Sequence, residues 1–128
     1  SAVETVNPKI PSTMEAAALC KMADRGQITG GILDGPLAFD TAVSLKAAKI
    51  KHLSSPVTGQ ADILVVPDLE SGNMLAKQLE YLGGAQLAGI VLGARVPVIL
   101  TSRADSAETR LTSCAVAMLL HYASHPVT

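Results

Sequence analysis

Thr101, Ser102 and Arg103 place two hydroxyls and a fixed positive charge together. They follow the β-branched apolar run Val96, Val98, Ile99 and Leu100 and precede a helix that opens at Asp105 and Ser106. The junction where a strand ends and a helix begins is the usual ligand position in α/β proteins. A helix N-terminus adds free N–H groups and the positive end of a dipole, which suits phosphate or another anion. Capping requires no arginine there, and a guanidinium can hold a phosphate bidentately. The competing reading is a surface ion pair between Arg103 and Asp105 or Glu108. Similar junctions stand in ILDGPLAFD (32–40) and VVPDLESGN (65–73). In the second, Asp68 and Asn73 bracket a helix entry, where turn formation and capping are the favoured account of Asp68 taken alone. An α/β small-molecule site is the leading reading.

Other chemistries find less support. In TGGILDG (29–35) the glycines precede or lie inside an apolar run and do not open a helix, so this is no dinucleotide fingerprint. No phosphate-binding loop ending in Gly-Lys-Ser/Thr occurs. His52, His121 and His125 share no ligand spacing with one another or with the cysteines, so no metal site is expected. His121 and His125 stand four apart near a helix end, where a solvated or dipole-stabilising role is ordinary. Cys20 and Cys114 allow a disulfide, but read first as two buried, reduced thiols on helix faces. The net charge is −1 with ten scattered basic residues, and Phe and Tyr number three with no Trp. That excludes a nucleic-acid footprint and a base-stacking platform. No apolar run reaches the roughly 20 residues of a membrane span, and no signal-like segment is evident, so a cytoplasmic protein without membrane contact is expected.

The elements that would position these residues follow from periodicity. The 128 residues, 48% of them hydrophobic, suffice for one domain with a core of Ala, Val, Leu, Ile and Met. Residues 1–11 read as a linker or an extended arm. Ser12 and Glu15 have capping-box spacing, and Ala18, Leu19, Met22 and Ala23 share a helical face that Gly26 terminates. Residues 27–33 and 61–66 read as buried strands, the first weakened by Gly30 and Gly31. A helix is predicted from Pro36 to about Ile50, and another from about Ser71 until Gly83 and Gly84 end it. Strands are predicted over 88–92 and 96–100, then a helix whose apolar face holds Leu111, Cys114, Ala115, Met118, Leu119 and Tyr122. Alternating β and α units predict an α/β fold, a mostly parallel sheet flanked by helices. The last two strands are joined by too few residues for a parallel crossover. They must be antiparallel, or the chain must leave one sheet for another, which divides it into 12–95 and 96–128.

The segments ILDGPLAFDTAVS, GQADILVVPDLESGNMLAKQLEYLGGAQLAGIVLG and VPVILTSRADS resemble the C-terminal part of the phosphate acetyl/butyryltransferase family, most of all its butyryl-type branch and forms fused to an enoyl-CoA hydratase. The resemblance runs from Ala16 to Ala117. It implies a phosphate acyltransferase that passes an acyl group between coenzyme A and inorganic phosphate, with coenzyme A as a substrate and no permanently bound cofactor. It implies the second domain of a two-domain α/β protein, plus the last strand and helix that return to the first. It also implies a homodimer and a longer enzyme with an N-terminal half, of which this chain would be a fragment, one member of a split enzyme or a stand-alone relative. In the family the Ser-Arg pair matching Ser102 and Arg103 binds coenzyme A and stabilises the transferring group. Asp68, Asn73 and Ser106 are then candidates for substrate binding. The position of the acetyl-type general base is Thr109 here, which cannot act as one, leaving Asp105 or Glu108 for that role. The alternative is a non-catalytic coenzyme A- or anion-binding or dimerisation module.

Overall fold

The computed structural model describes residues 1–124. Five helices and one hairpin make up its regular structure: α1 (Pro11–Asp24), α2 (Phe39–Val43), α3 (Leu45–Ile50), α4 (Leu69–Tyr81), β1 (Ile90–Val91), β2 (Val98–Ile99) and α5 (Ala107–Ser124). The fold is therefore mostly helical, and the expected parallel sheet is absent among the described residues. Of the two arrangements open to the last strands, the antiparallel one forms, with Ile90 opposite Ile99 and Val91 opposite Val98. The segments at 27–33 and 61–66 join no ladder; Ile63 and Val65 are 81% and 76% exposed. A continuous apolar run specifies burial on both faces but not which segment will cover it. Here no described segment does. Among the described residues no helix is long and apolar enough to cross a membrane.

The chain divides into two compact units, Ser1–Asn73 and Met74–Thr128. In the first, small side chains form the core: Ala38, Ala42 and Ala48 with the hydroxyls of Thr13, Thr41 and Thr58. Thr13 replaces the expected capping box. Its Oγ1 accepts from the Asn7 N–H at 2.9 Å, and α1 starts after Ile10 with no side-chain cap. The helix expected over 36–50 breaks at Ser44, whose extended backbone (φ −127°, ψ 110°) ends α2 while its Oγ accepts the Ala47 N–H and caps α3. Glu4 and Asp40 both pair with Lys51, at 2.9 and 3.1 Å, and Glu4 also accepts from Thr41.

In the second unit α5 packs on the hairpin through Ser113 and Ala117, its buried residues. The expected apolar face instead points outward, with Leu111 72% and Leu119 71% exposed. Small residues allow the close approach. The Gly89 N–H donates to Ser113 Oγ at 3.0 Å, and a Cβ on Gly89 would overlap the Leu100 carbonyl oxygen. Both cysteines are free; Cys20 is half-buried, but Cys114 is exposed on α5, against expectation. Burial raises the Cys20 thiol above its ordinary pKa, helped by the nearby charges of Asp34 and Asp24. His125 lies outside the described residues.

Candidate functional site

Residues 100–106 connect β2 to α5, and the local chemistry explains the shape of the turn they contain. The Ser102 N–H donates to Asp105 Oδ2 at 2.7 Å, while the Asp105 N–H donates back to the Ser102 carbonyl at 3.2 Å. These reciprocal bonds close a tight turn with Arg103 and Ala104 at its tip, and the Ala104 N–H approaches Ser102 Oγ at 3.3 Å. Ser106 then starts the helix. Its Oγ accepts the Thr109 N–H at 3.1 Å, satisfying one of the N–H groups a helix start leaves open. Thr109 shares a hydrogen bond with Ser106 through its hydroxyl.

Arg103 is exposed and makes no ion pair or hydrogen bond among the described residues. The competing reading, a pair with Asp105 or Glu108, does not form, because both carboxylates are engaged elsewhere. Asp105, its side chain only 8% exposed, turns Oδ2 to Ser102 and Oδ1 toward Lys77 Nζ, 3.7 Å away. Glu108 accepts from Gln86 Nε2 at 3.0 Å. Ser102, Arg103, Asp105, Ser106 and Glu108 are thus gathered on one turn and the first turn of α5, with the guanidinium open to solvent. A depression of about 230 Å³ in the same unit lies beside hairpin residues 91–97 and Leu120, toward the C-terminal end of α5, and none of the candidate residues lines it.

Asp68 and Asn73 belong to the first unit. Asp68 caps α4: Oδ1 accepts the Ser71 N–H at 2.7 Å and its carbonyl accepts the Gly72 N–H at 3.1 Å. Hydrogen bonding from Ser71 holds the Asp68 carboxyl below the usual carboxylate range. Asn73 is exposed and makes no hydrogen bond among the described residues.

Sequence reasoning passed over Lys77. On α4 its Nζ sits 2.7 Å from Glu80 Oε2 and 5.5 Å from the Tyr81 ring centroid, besides facing Asp105. Its pKa is raised, chiefly by the hydrogen bond to Glu80. The Lys-x-x-Glu spacing signals the pair with Glu80, since such side chains are neighbours on a helix, but nothing local signals Asp105. Asp34 was also passed over. It accepts from Thr58 Oγ1 at 3.1 Å, from the Ser55 hydroxyl and from the Gly35 N–H at 2.9 Å, tying two loops of the first unit. No group of three or more His, Cys, Asp or Glu among the described residues is placed to hold a metal ion.

A family profile described as "Phosphate acetyl/butaryl transferase" matches residues 1–118. The phosphate acetyltransferase of Rhizobium meliloti is 72% identical over 119 residues, which cover 93% of this chain and 38% of that protein. The probable phosphate butyryltransferase of Bacillus subtilis is 56% identical over 118 residues, 92% of this chain and 40% of that protein. Among solved structures, a branched-chain phosphotransacylase from Enterococcus faecalis V583 superposes with a TM-score of 0.80 at 42% identity, covering 92% of this chain and 42% of that one. The chain thus spans about two fifths of the length of these relatives.

Proposed function

The chain belongs to the phosphate acetyl/butyryltransferase family, and from that premise we propose that its Ser102–Arg103 turn serves acyl transfer between coenzyme A and inorganic phosphate in a protein of family length. The reaction joins the coenzyme A sulfur to the acyl carbonyl carbon and breaks the bond from that carbon to the phosphate oxygen. The phosphate leaves with the bonding pair, and the thiol proton passes to a base. Charge develops on the carbonyl oxygen and on the departing phosphate, so a fixed cation and a hydrogen-bond donor aimed there lower the barrier. Arg103 supplies the cation and the Ser102 hydroxyl the donor.

The single observation that carries this reading is the unpaired, solvent-facing guanidinium of Arg103 on a turn that its neighbours hold without it. A thiol near its ordinary pKa is mostly protonated at neutral pH, so a base assists. Glu108 is the candidate: exposed, two residues past Ser106 in the first turn of α5, with only an exposed amide as its side-chain partner. Ser106 and Asn73 are offered as further substrate contacts, and Asp68 as an indirect one through the start of α4. A homodimer and a cytoplasmic location complete the reading, supported by the family and by the apolar side chains left exposed on α3 and α4.

The test is turnover of acyl phosphate and coenzyme A by a protein of family length carrying this sequence. Arg103→Ala should cost at least about tenfold in kcat/KM, the loss of one charge-stabilising contact in the transition state. Unchanged kcat/KM would remove Arg103 from the mechanism.

A further inference from the structure

We propose that Asp105 is a positioning residue: its carboxylate, set against Lys77, pins the backbone turn that presents Ser102 and Arg103. The inference rests on the acyl-transfer reading above and assigns a part within it. Three observations carry it. First, Asp105 is not needed to start α5, since Ser106 Oγ already accepts the Thr109 N–H there. Second, the Asp105 side chain is more than nine-tenths buried, with Oδ2 bound to the Ser102 N–H at 2.7 Å. A general base needs a lone pair that the substrate proton can reach, and this carboxylate offers none at the surface.

Third, Oδ1 is buried without a hydrogen bond, and Lys77 Nζ stands 3.7 Å from it while bonding Glu80 at 2.7 Å. A buried carboxylate oxygen without a hydrogen bond is costly, and one partly balanced by a shared lysine remains so. The lysine therefore holds Asp105 in place by charge alone, and Asp105 holds Ser102 by a charged hydrogen bond. Glu80 and Tyr81 on α4 are the other titratable groups around Lys77. The chain of contacts runs from α4 to the tip of the turn, and misplacing a catalytic group by about 1 Å can cost on the order of a hundredfold in rate.

The experiment uses a protein of family length carrying this sequence, with Asp105→Ala, Asp105→Asn, Lys77→Met and the double variant Lys77→Met/Asp105→Asn. Each is measured for kcat, KM for coenzyme A, pH profile and amide exchange at Ser102. Asp105→Ala should lower kcat about tenfold to a hundredfold with KM within about threefold, and should speed Ser102 exchange. Asp105→Asn keeps an acceptor for the Ser102 N–H and should recover kcat to within about threefold of wild type, with the pH profile unchanged. Lys77→Met should slow turnover, and the double variant should recover part of that loss because the unpaired buried charge is gone.

Asp105→Asn as inactive as Asp105→Ala, with the acid limb of the pH profile lost, would make Asp105 the base and overturn the proposal. An Asp105→Ala variant with wild-type kcat would overturn it as well. A folded wild-type protein without turnover would instead overturn the acyl-transfer reading and, with it, the catalytic part assigned to Asp105. Ser102 exchange unaltered by Asp105→Ala in that protein would overturn the tether too.

Discussion

At the scale of single residues, the turn at 102–105 separates groups that face solvent from groups that hold them there. Arg103 makes no ion pair among the described residues, since Asp105 and Glu108 have other partners, a pairing that the sequence alone leaves open. The hydroxyl of Ser113 shows how much one polar side chain can carry inside a small core. It donates to the Thr109 carbonyl at 2.7 Å and accepts from the Gly89 N–H at 3.0 Å, fully buried. Ser113→Ala leaves that N–H without a partner and should destabilise the second unit by about 1–3 kcal/mol, read by chemical denaturation. A charged counterpart lies at Lys51, which Glu4 and Asp40 share. Its hydrogen bonds hold both carboxyls below the usual range, and theirs raise the Lys51 pKa. A depressed carboxyl pKa contributes stability above its unfolded value and loses it as pH falls through the folded value. A raised lysine pKa contributes below its unfolded value and loses it as pH rises through the folded one. The stability difference between wild type and Lys51→Met should therefore be full at neutral pH and vanish at both acid and strongly alkaline pH. A difference that persists into acid would show that the ion pairs are not its source.

Elements were legible in the sequence where a local device fixes them and illegible where a distant partner does. The stop of α1 at Gly26, which adopts φ 71°, follows from glycine's access to the left-handed region. Periodicity gives the final helix but not its buried side. Leu111, Met118 and Leu119 carry the hydrophobic pattern, whereas Ser113 and Ala117 make the contact. Periodicity ranks faces by hydropathy, but close packing on Gly89 selects for smallness. The parallel sheet failed for a related reason, since 61–66 has the composition of a strand and no described strand beside it. Of the candidate site, residue types mark Ser102–Arg103 and a helix opening at Asp105 and Ser106, but not that Ser106 is the residue that caps it. The Lys77–Asp105 contact was not legible, being 28 residues apart in sequence with no shared motif. The hairpin supplies an element-scale test. Any side chain at Gly89 meets the Leu100 carbonyl, and the Leu100 N–H bonds to the Gly89 carbonyl at 3.0 Å. Gly89→Ala should therefore cost about 1–3 kcal/mol by overpacking and loosen the seat of α5, seen as faster amide exchange at Leu100 and Ser113.

At the scale of the whole molecule, each unit leaves large apolar side chains in water: Ile63, Val65 and Leu69 in the first, Tyr81, Leu82, Leu111 and Leu119 in the second. Contiguous apolar surface beyond a few hundred Å² marks an interaction site more often than a free surface. The 128 residues also span about two fifths of their relatives' length. Both facts bear on what the chain can do alone. Acyl transfer depends on holding thiol, carbonyl and phosphate in line, and such positioning contributes on the order of 7–11 kcal/mol when the geometry is right. In the proposed reading the exposed turn carrying Arg103 and Ser102 contacts the phosphate, and positioning an acyl thioester against it calls for more of a family-length protein than this chain spans. The 128-residue chain by itself should therefore give little or no thiol consumption when coenzyme A meets acetyl or butyryl phosphate, while a protein of family length carrying the same sequence turns over. It should also self-associate at micromolar concentration in sedimentation, its apolar faces finding one another. A monodisperse monomer with robust turnover would show that the turn and its tether suffice without the remaining three fifths of a family-length protein.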